Sequence, residues 1–260
     1  MKKVILFFAF TLCVKLCYSQ IKTIHVFVAL CDNKNQGIVP VPEKLGNGQD
    51  AKNNLYWGAM YGVKSYFKRS KDWVLVTTEK NPKKNILERL LYKHKLTNTY
   101  LLADAYDGKY IKQTTIDFLE ANAGHNPINI KHESVSLSFG GDSNLLAYVG
   151  HDGLMEFDVE GNFTSKNVNK RAAIILACIS KEFFKPYLVQ TNSSPLVWTT
   201  GLMAPEAYTL KAAIDGWIIN ETDLQIRERA AQAYHKHQKC GIRGARNLLV
   251  TGYKKTLTFL

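Results

Sequence analysis

The chain has 260 residues, 46% of them hydrophobic and 22% charged. This ordinary globular balance excludes an intrinsically disordered chain, a collagen-like chain and a small disulfide scaffold. Its length accommodates one large α/β domain or two small ones, with a sizeable core either way. Net charge is +12, but the basic residues are scattered, with short runs at Lys83–Lys84 and Lys254–Lys255; this argues against nucleic acid as the partner.

Residues 1–19 read as a signal peptide. Met1-Lys2-Lys3 is a positive start, and Val4 to Val14 is an apolar stretch too short to span a bilayer. Cys17-Tyr18-Ser19 puts small residues at positions −3 and −1 of a cut after Ser19. A lipoprotein cut at Cys17 is the competing reading, with Lys15 and Leu16 as poor lead-in residues. Loss of Lys2, Lys3 and Lys15 lowers the net charge from +12 to +9. No later stretch has the ~18–20 apolar residues of a membrane helix. The sequence therefore predicts an exported protein, periplasmic or secreted, with no membrane span and with residues 20–260 as a single domain. Cys31, Cys178 and Cys240 remain, so at least one thiol stays unpaired.

Ile24 to Cys31 is a nearly continuous apolar run, the pattern of a strand buried on both faces of a parallel sheet. A polar loop from Asp32 to Gln49 follows, and Asp50 is placed to cap a helix over 51–67. Trp73–Thr77 reads as a strand. Asn85–Lys95 reads as a helix with Ile86, Leu87, Leu90 and Leu91 on one face. Tyr100–Ala105 is a strand, and Tyr110–Ala123 a helix closed by Gly124. Leu145–Gly150, Ala172–Ala177 and Leu196–Thr200 are three further strands. Helices follow at Pro205–Trp217 and Asp223–Lys239. The alternation predicts an α/β three-layer sandwich with a mostly parallel sheet of about six strands.

Ligands of open α/β sheets bind at the carboxyl ends of the strands. Asp32 and Asn33 leave the first strand there, His151 and Asp152 the fourth, and Cys178 and Ser180 the fifth. A thiol beside an imidazole is the minimum equipment for nucleophilic catalysis, and a helix starting near Ser180 would favour the thiolate. Asp32 and Asp104 together offer a second chemistry, an acidic rim for a metal-dependent hydrolase. His235, His237 and Cys240 read as a solvated helix end, because residues two apart on a helix diverge. No phosphate-binding glycine loop, His-Glu-x-x-His or Gly-x-Ser-x-Gly motif is present, which argues against ATPase, zincin and serine-hydrolase chemistry. The thiol reading needs no cofactor and no metal.

An apolar strand ending in His151, followed by one ending in Ala177-Cys178, resembles the caspase–legumain–gingipain–separase group of cysteine peptidases. The polar loop Asp32–Gln36, the segment Thr115–Leu119 with Gly124, and the order of elements from Leu196 through Pro205-Glu206-Ala207 are also similar to that group. Gly150–Phe157 and Thr199–Leu210 resemble an uncharacterised family of exported bacterial proteins. The resemblance implies a caspase-like fold acting on a peptide or amide substrate. Cys178 would be nucleophile and His151 its partner, with backbone N–H groups near both for the oxyanion. It places substrate contacts at Asp32, Asn33, Asn35 and Gln36, and around Asp152, Gly153 and Ser180. The sequence departs from the group's pattern where Asp152 separates His151 from Gly153, where Leu176 precedes Ala177-Cys178, and in the short His–Cys spacing. A non-catalytic binding domain on the same scaffold is the alternative.

Overall fold

The long apolar runs assemble into one eight-stranded sheet in a computed structural model of the chain, which describes residues 20–166 and 170–254. The expected signal peptide lies outside the described residues. In chain order the elements are β1 (Lys22–Ala29), α1 (Val63–Lys68), β2 (Trp73–Lys83), β3 (Ile86–His94), β4 (Thr99–Tyr106), α2 (Ile111–Asn122), β5 (Ile128–His132), β6 (Val135–Phe139), β7 (Leu145–Val149), β8 (Ala172–Leu176), α3 (Ser180–Gln190), β9 (Ser194–Thr199), α4 (Ala207–Ile218), α5 (Asp223–Gln238), α6 (Ile242–Leu248) and β10 (Leu249–Val250). The sheet runs β10-β9-β8-β7-β1-β4-β3-β2. Its five central strands, β9 to β4, are parallel, while β2, β3 and β10 are antiparallel additions at the edges.

The parallel strands are buried on both faces because helices cover both. Ile24, Val26 and Val28 of β1 face a core shared with α1, α4 and α5. Phe27 and Ala29 face a second core with Phe118 of α2 and Phe184 of α3. The hairpin β5–β6 adds Leu137 and Phe139 over Leu102 and Tyr100. From β1 the chain first builds one side of the sheet (β4) and then returns to build the other (β7, β8, β9), so a topological switch lies between β1 and β7.

Three expectations change. Residues 86–94 form a strand rather than a helix. Their Leu, Glu, Arg and Lys content favours helix, but β3 pairs on both sides, with β2 and β4. Glu88 and Arg89, expected on a polar helix face, instead point inward to partners: Glu88 accepts from Trp57 and Lys64, and Arg89 donates to Asp104. The helix over 51–67 shrinks to α1, and residues 51–62 are tight turns. Asn54 spends its side chain on the backbone of Cys31, and a Cβ on Gly58 would overlap the Lys52 carbonyl. The sheet also has eight strands, with β3 and β10 beyond the six expected.

Candidate active site

Two rim segments meet beside the switch. At the end of β7 the chain must pass close to β1. Gly150 has φ +153°, and a Cβ there would press on the Ala29 carbonyl, so glycine alone fits. His151 follows, its carbonyl held by the Tyr148 hydroxyl at 2.9 Å. Asp152 Oδ1 accepts from Leu154 N–H at 3.0 Å and caps the 3-10 turn Gly153–Met155. That turn brings Glu156 back to His151, with Oε1 2.6 Å from Nε2. A Cβ on Gly37 would overlap the Glu156 carboxylate, so the loop after β1 lies against the pair.

At the end of β8, Cys178 sits in a strand–turn–helix junction. Ile179 has φ +50° and ψ +27°, left-handed for a β-branched residue, a conformation that persists only where its surroundings enforce it. The enforcement is visible. Ile179 N–H donates to Gly201 O at 2.9 Å, Ser180 Oγ lies 3.0 Å from Ile175 O and 3.1 Å from Thr199 Oγ1, and Thr199 Oγ1 bonds Ala177 O. The half-buried Cys178 Sγ accepts from Met203 N–H at 3.4 Å. Burial pushes its pKa up, the Met203 N–H pulls it down, and the nearby Asp152 carboxyl pushes it up again.

The register gives the spatial relation. Val149 and Leu176 are paired across β7 and β8, and His151 and Cys178 each stand two residues beyond that pair, at one rim. Neighbouring strands lie ≈ 4.8 Å apart. No hydrogen bond joins the two side chains: the imidazole bonds Glu156 and the thiol bonds the Met203 backbone.

The other expected site residues distribute differently. Asp32 is the hub of the loop after β1. Its oxygens accept from the N–H groups of Lys34 and Asn35 and from the side chains of Asn35 and Gln49, and these bonds hold its carboxyl below the usual range despite burial. Asn33 ties both ways to Val41, and Gln36 bonds Leu30 O and Gly108 O. This loop walls a hollow of about 560 Å³, partly open to solvent, lined by Asp32, Asn33, Lys34, Glu43, Gly46, Asn47 and Gln49. Gly153 is buried against Phe157. Ser180 is fully buried in the latch described above and does not reach the rim. Asp32 and Asp104 do not converge, because Asp104 lies inside β4 with Arg89 and His25 as partners. Among the described residues no three His, Cys, Asp or Glu side chains form a metal-binding group. His237 stacks on Tyr208 with ring centroids 4.0 Å apart.

Sequence reasoning missed Glu156, Tyr56 and Met203. Only the His-x4-Glu spacing across a glycine turn could have pointed to Glu156. Tyr56 comes from the turn region read as helix, and its buried hydroxyl lies near the Cys31 thiol, where burial pushes both groups' pKa up. Met203 acts through its backbone, which leaves no mark in side-chain chemistry.

No protein-family model, no curated protein and no solved structure matches the chain.

Proposed function

We propose that the protein is an exported thiol hydrolase of caspase-like arrangement that cleaves peptide or related amide bonds with Cys178 and His151. One observation carries this reading: His151 and Cys178 leave adjacent parallel strands at the same offset, beside the topological switch, with a strained residue locked behind the cysteine.

In this mechanism Cys178 Sγ attacks the substrate carbonyl carbon and its proton passes to His151. Glu156 occupies Nε2, which leaves Nδ1 as the nitrogen for proton transfer. The imidazolium then protonates the leaving amine, and water hydrolyses the thioester with His151 as base. Ile179 N–H donates to Gly201 O and Ser180 N–H to Thr199 Oγ1, so the mechanism assigns the oxyanion to the backbone N–H of Cys178 and a substrate side chain to the hollow beside Asp32.

A second reading, a non-catalytic binding domain, draws on the hydrogen bonds that the imidazole and the thiol make elsewhere.

Mild alkylation at neutral pH with mass-spectrometric mapping separates the two. Rapid labelling of Cys178, slowed at least tenfold in His151→Ala while Cys240 is unaffected, is the expected result. Labelling of Cys178 that is slow, or equal in both proteins, overturns the hydrolase and leaves the binding domain.

A further inference from the structure

The basic run Lys83–Lys84 has no part in the site at Cys178. Lys83 pairs with Ile86 across β2 and β3, so Lys84 and Asn85 form the turn of that hairpin. Both lysines are exposed, and neither ammonium has a carboxylate partner among the described residues. Other lysines of the chain do find one: Lys64 and Lys80 both reach Glu88, and Lys211 bridges Asp72 and Asp215. Two adjacent cations without a counter-charge repel each other, and an anion placed between them relieves that repulsion.

The turn borders a hollow of about 390 Å³, open to solvent and lined by Lys83, Lys84, Asn85, Tyr110, Gln113 and Asp117. Its size falls within the range of small-molecule sites, and both lysines are within reach of a ligand from solution. The one carboxylate in the lining, Asp117, is already engaged. Its Oδ2 accepts from the Tyr106 hydroxyl at 2.9 Å and its Oδ1 from Gln113 Nε2 at 2.7 Å. The Tyr110 hydroxyl and the Asn85 side-chain amide make no hydrogen bond among the described residues. Lys109 Nζ stands 5.0 Å from the Tyr110 ring centroid and adds a third cation at the edge, with Asp107 Oδ2 at 3.5 Å as its partner. Helix α2 also begins here, with no acid in its first turn, so the positive end of its dipole adds to the same field.

The free groups around the hollow are therefore two ammoniums, a phenol and an amide, and their charge is positive. A ligand that meets them must be anionic and must offer several acceptor oxygens at once. A carboxylate has two oxygens in one plane. A phosphate group has three strong acceptors, which donors can approach from different sides. The space left over, beside the Tyr110 ring, has room for the body that carries the phosphate.

We propose that this hollow binds the phosphate group of a small phosphorylated molecule, held by Lys83, Lys84 and Tyr110. The site is separated from Cys178 by the strands β7, β1 and β4, and it is independent of the hydrolase reading.

The test is isothermal titration calorimetry of the full chain at low salt, where exposed charges are least screened. The probes are glucose 6-phosphate, inorganic phosphate, glucose and vesicles containing phosphatidic acid. The expected result is saturable binding of one glucose 6-phosphate or one inorganic phosphate per chain, and none of glucose. In the double variant Lys83→Gln, Lys84→Gln that binding weakens roughly tenfold or more, as for loss of charged hydrogen-bond donors. Both substitutions fall on exposed side chains without partners, so an unchanged melting temperature accompanies the loss. Equal binding by the double variant overturns the proposal, as does binding to the vesicles with no binding of either soluble phosphate. Absence of binding by every probe also overturns it, and shows a basic turn that only water and salt ions visit.

Discussion

Asp104 and Asp152 are the same residue type, both with 0% exposure, yet their carboxyls are shifted in opposite directions. Asp104 accepts two hydrogen bonds from Arg89 and one from His25, and these hold its carboxyl below the usual range in spite of burial. Asp152 has one backbone donor, no cation and an unpartnered Oδ2, so burial pushes it up to about 7. Burial therefore does not set the charge of a carboxyl here. Its partners do.

The largest way to break this contrast is to take a partner from Asp104. Arg89→Ala leaves a buried carboxylate uncompensated, and should cost about 3–5 kcal/mol, read as a lower urea midpoint at neutral pH. An unchanged midpoint would mean that Asp104 is not ionised in the folded chain.

Next is the pH dependence. Asp152 is protonated in the folded chain over the range, roughly pH 4 to 7, where it ionises in the unfolded one. Its contribution is full below the unfolded pKa and is lost as pH rises through the folded one, by up to about 4 kcal/mol. Asp104 contributes the other way, above about pH 4, with loss on acidification. Urea midpoints at pH 5 and pH 8 should fall for the unaltered chain and stay level for Asp152→Asn.

A smaller effect is expected behind Cys178. Asn tolerates the left-handed region far better than Ile, so Ile179→Asn should stabilise the chain by about 1 kcal/mol, seen as a higher melting temperature. If the strain positions the thiol, alkylation of Cys178 should slow in the same variant.

The smallest stability effect belongs to Glu156. Its carboxylate is 36% exposed, so Glu156→Gln should change stability by less than about 1 kcal/mol. Slower Cys178 labelling with the melting temperature unchanged would mark Glu156 as a positioning residue for His151.

The parallel half of the sheet was legible in the sequence because strands covered on both faces need long apolar runs, as in Ile24–Cys31 and Ala172–Ala177. β3 was not legible. Its Leu90-Leu91 and Glu88-Arg89 pairs satisfy a helical stripe as well as a two-faced strand, and only distant partners, Lys64 and Asp104, decide between them. The rim positions of His151 and Cys178 followed from strand ends alone. What each side chain touches did not, because Glu156, Met203 and the Ser180–Thr199 latch meet through turns whose geometry no local pattern encodes.

The Arg89–Asp104 pair also has a consequence for alignment. A strand with apolar residues on both faces can slide by one position and still find a greasy surface on either side. β3 is such a strand, and it shows irregularities against both neighbours. A slip of a single residue against β4 would part Arg89 from Asp104 and leave two charges stranded in a dry interior. The pair thus works as a key cut for one lock: it makes every neighbouring register expensive, and an apolar pair in its place would hold the two strands together without saying where.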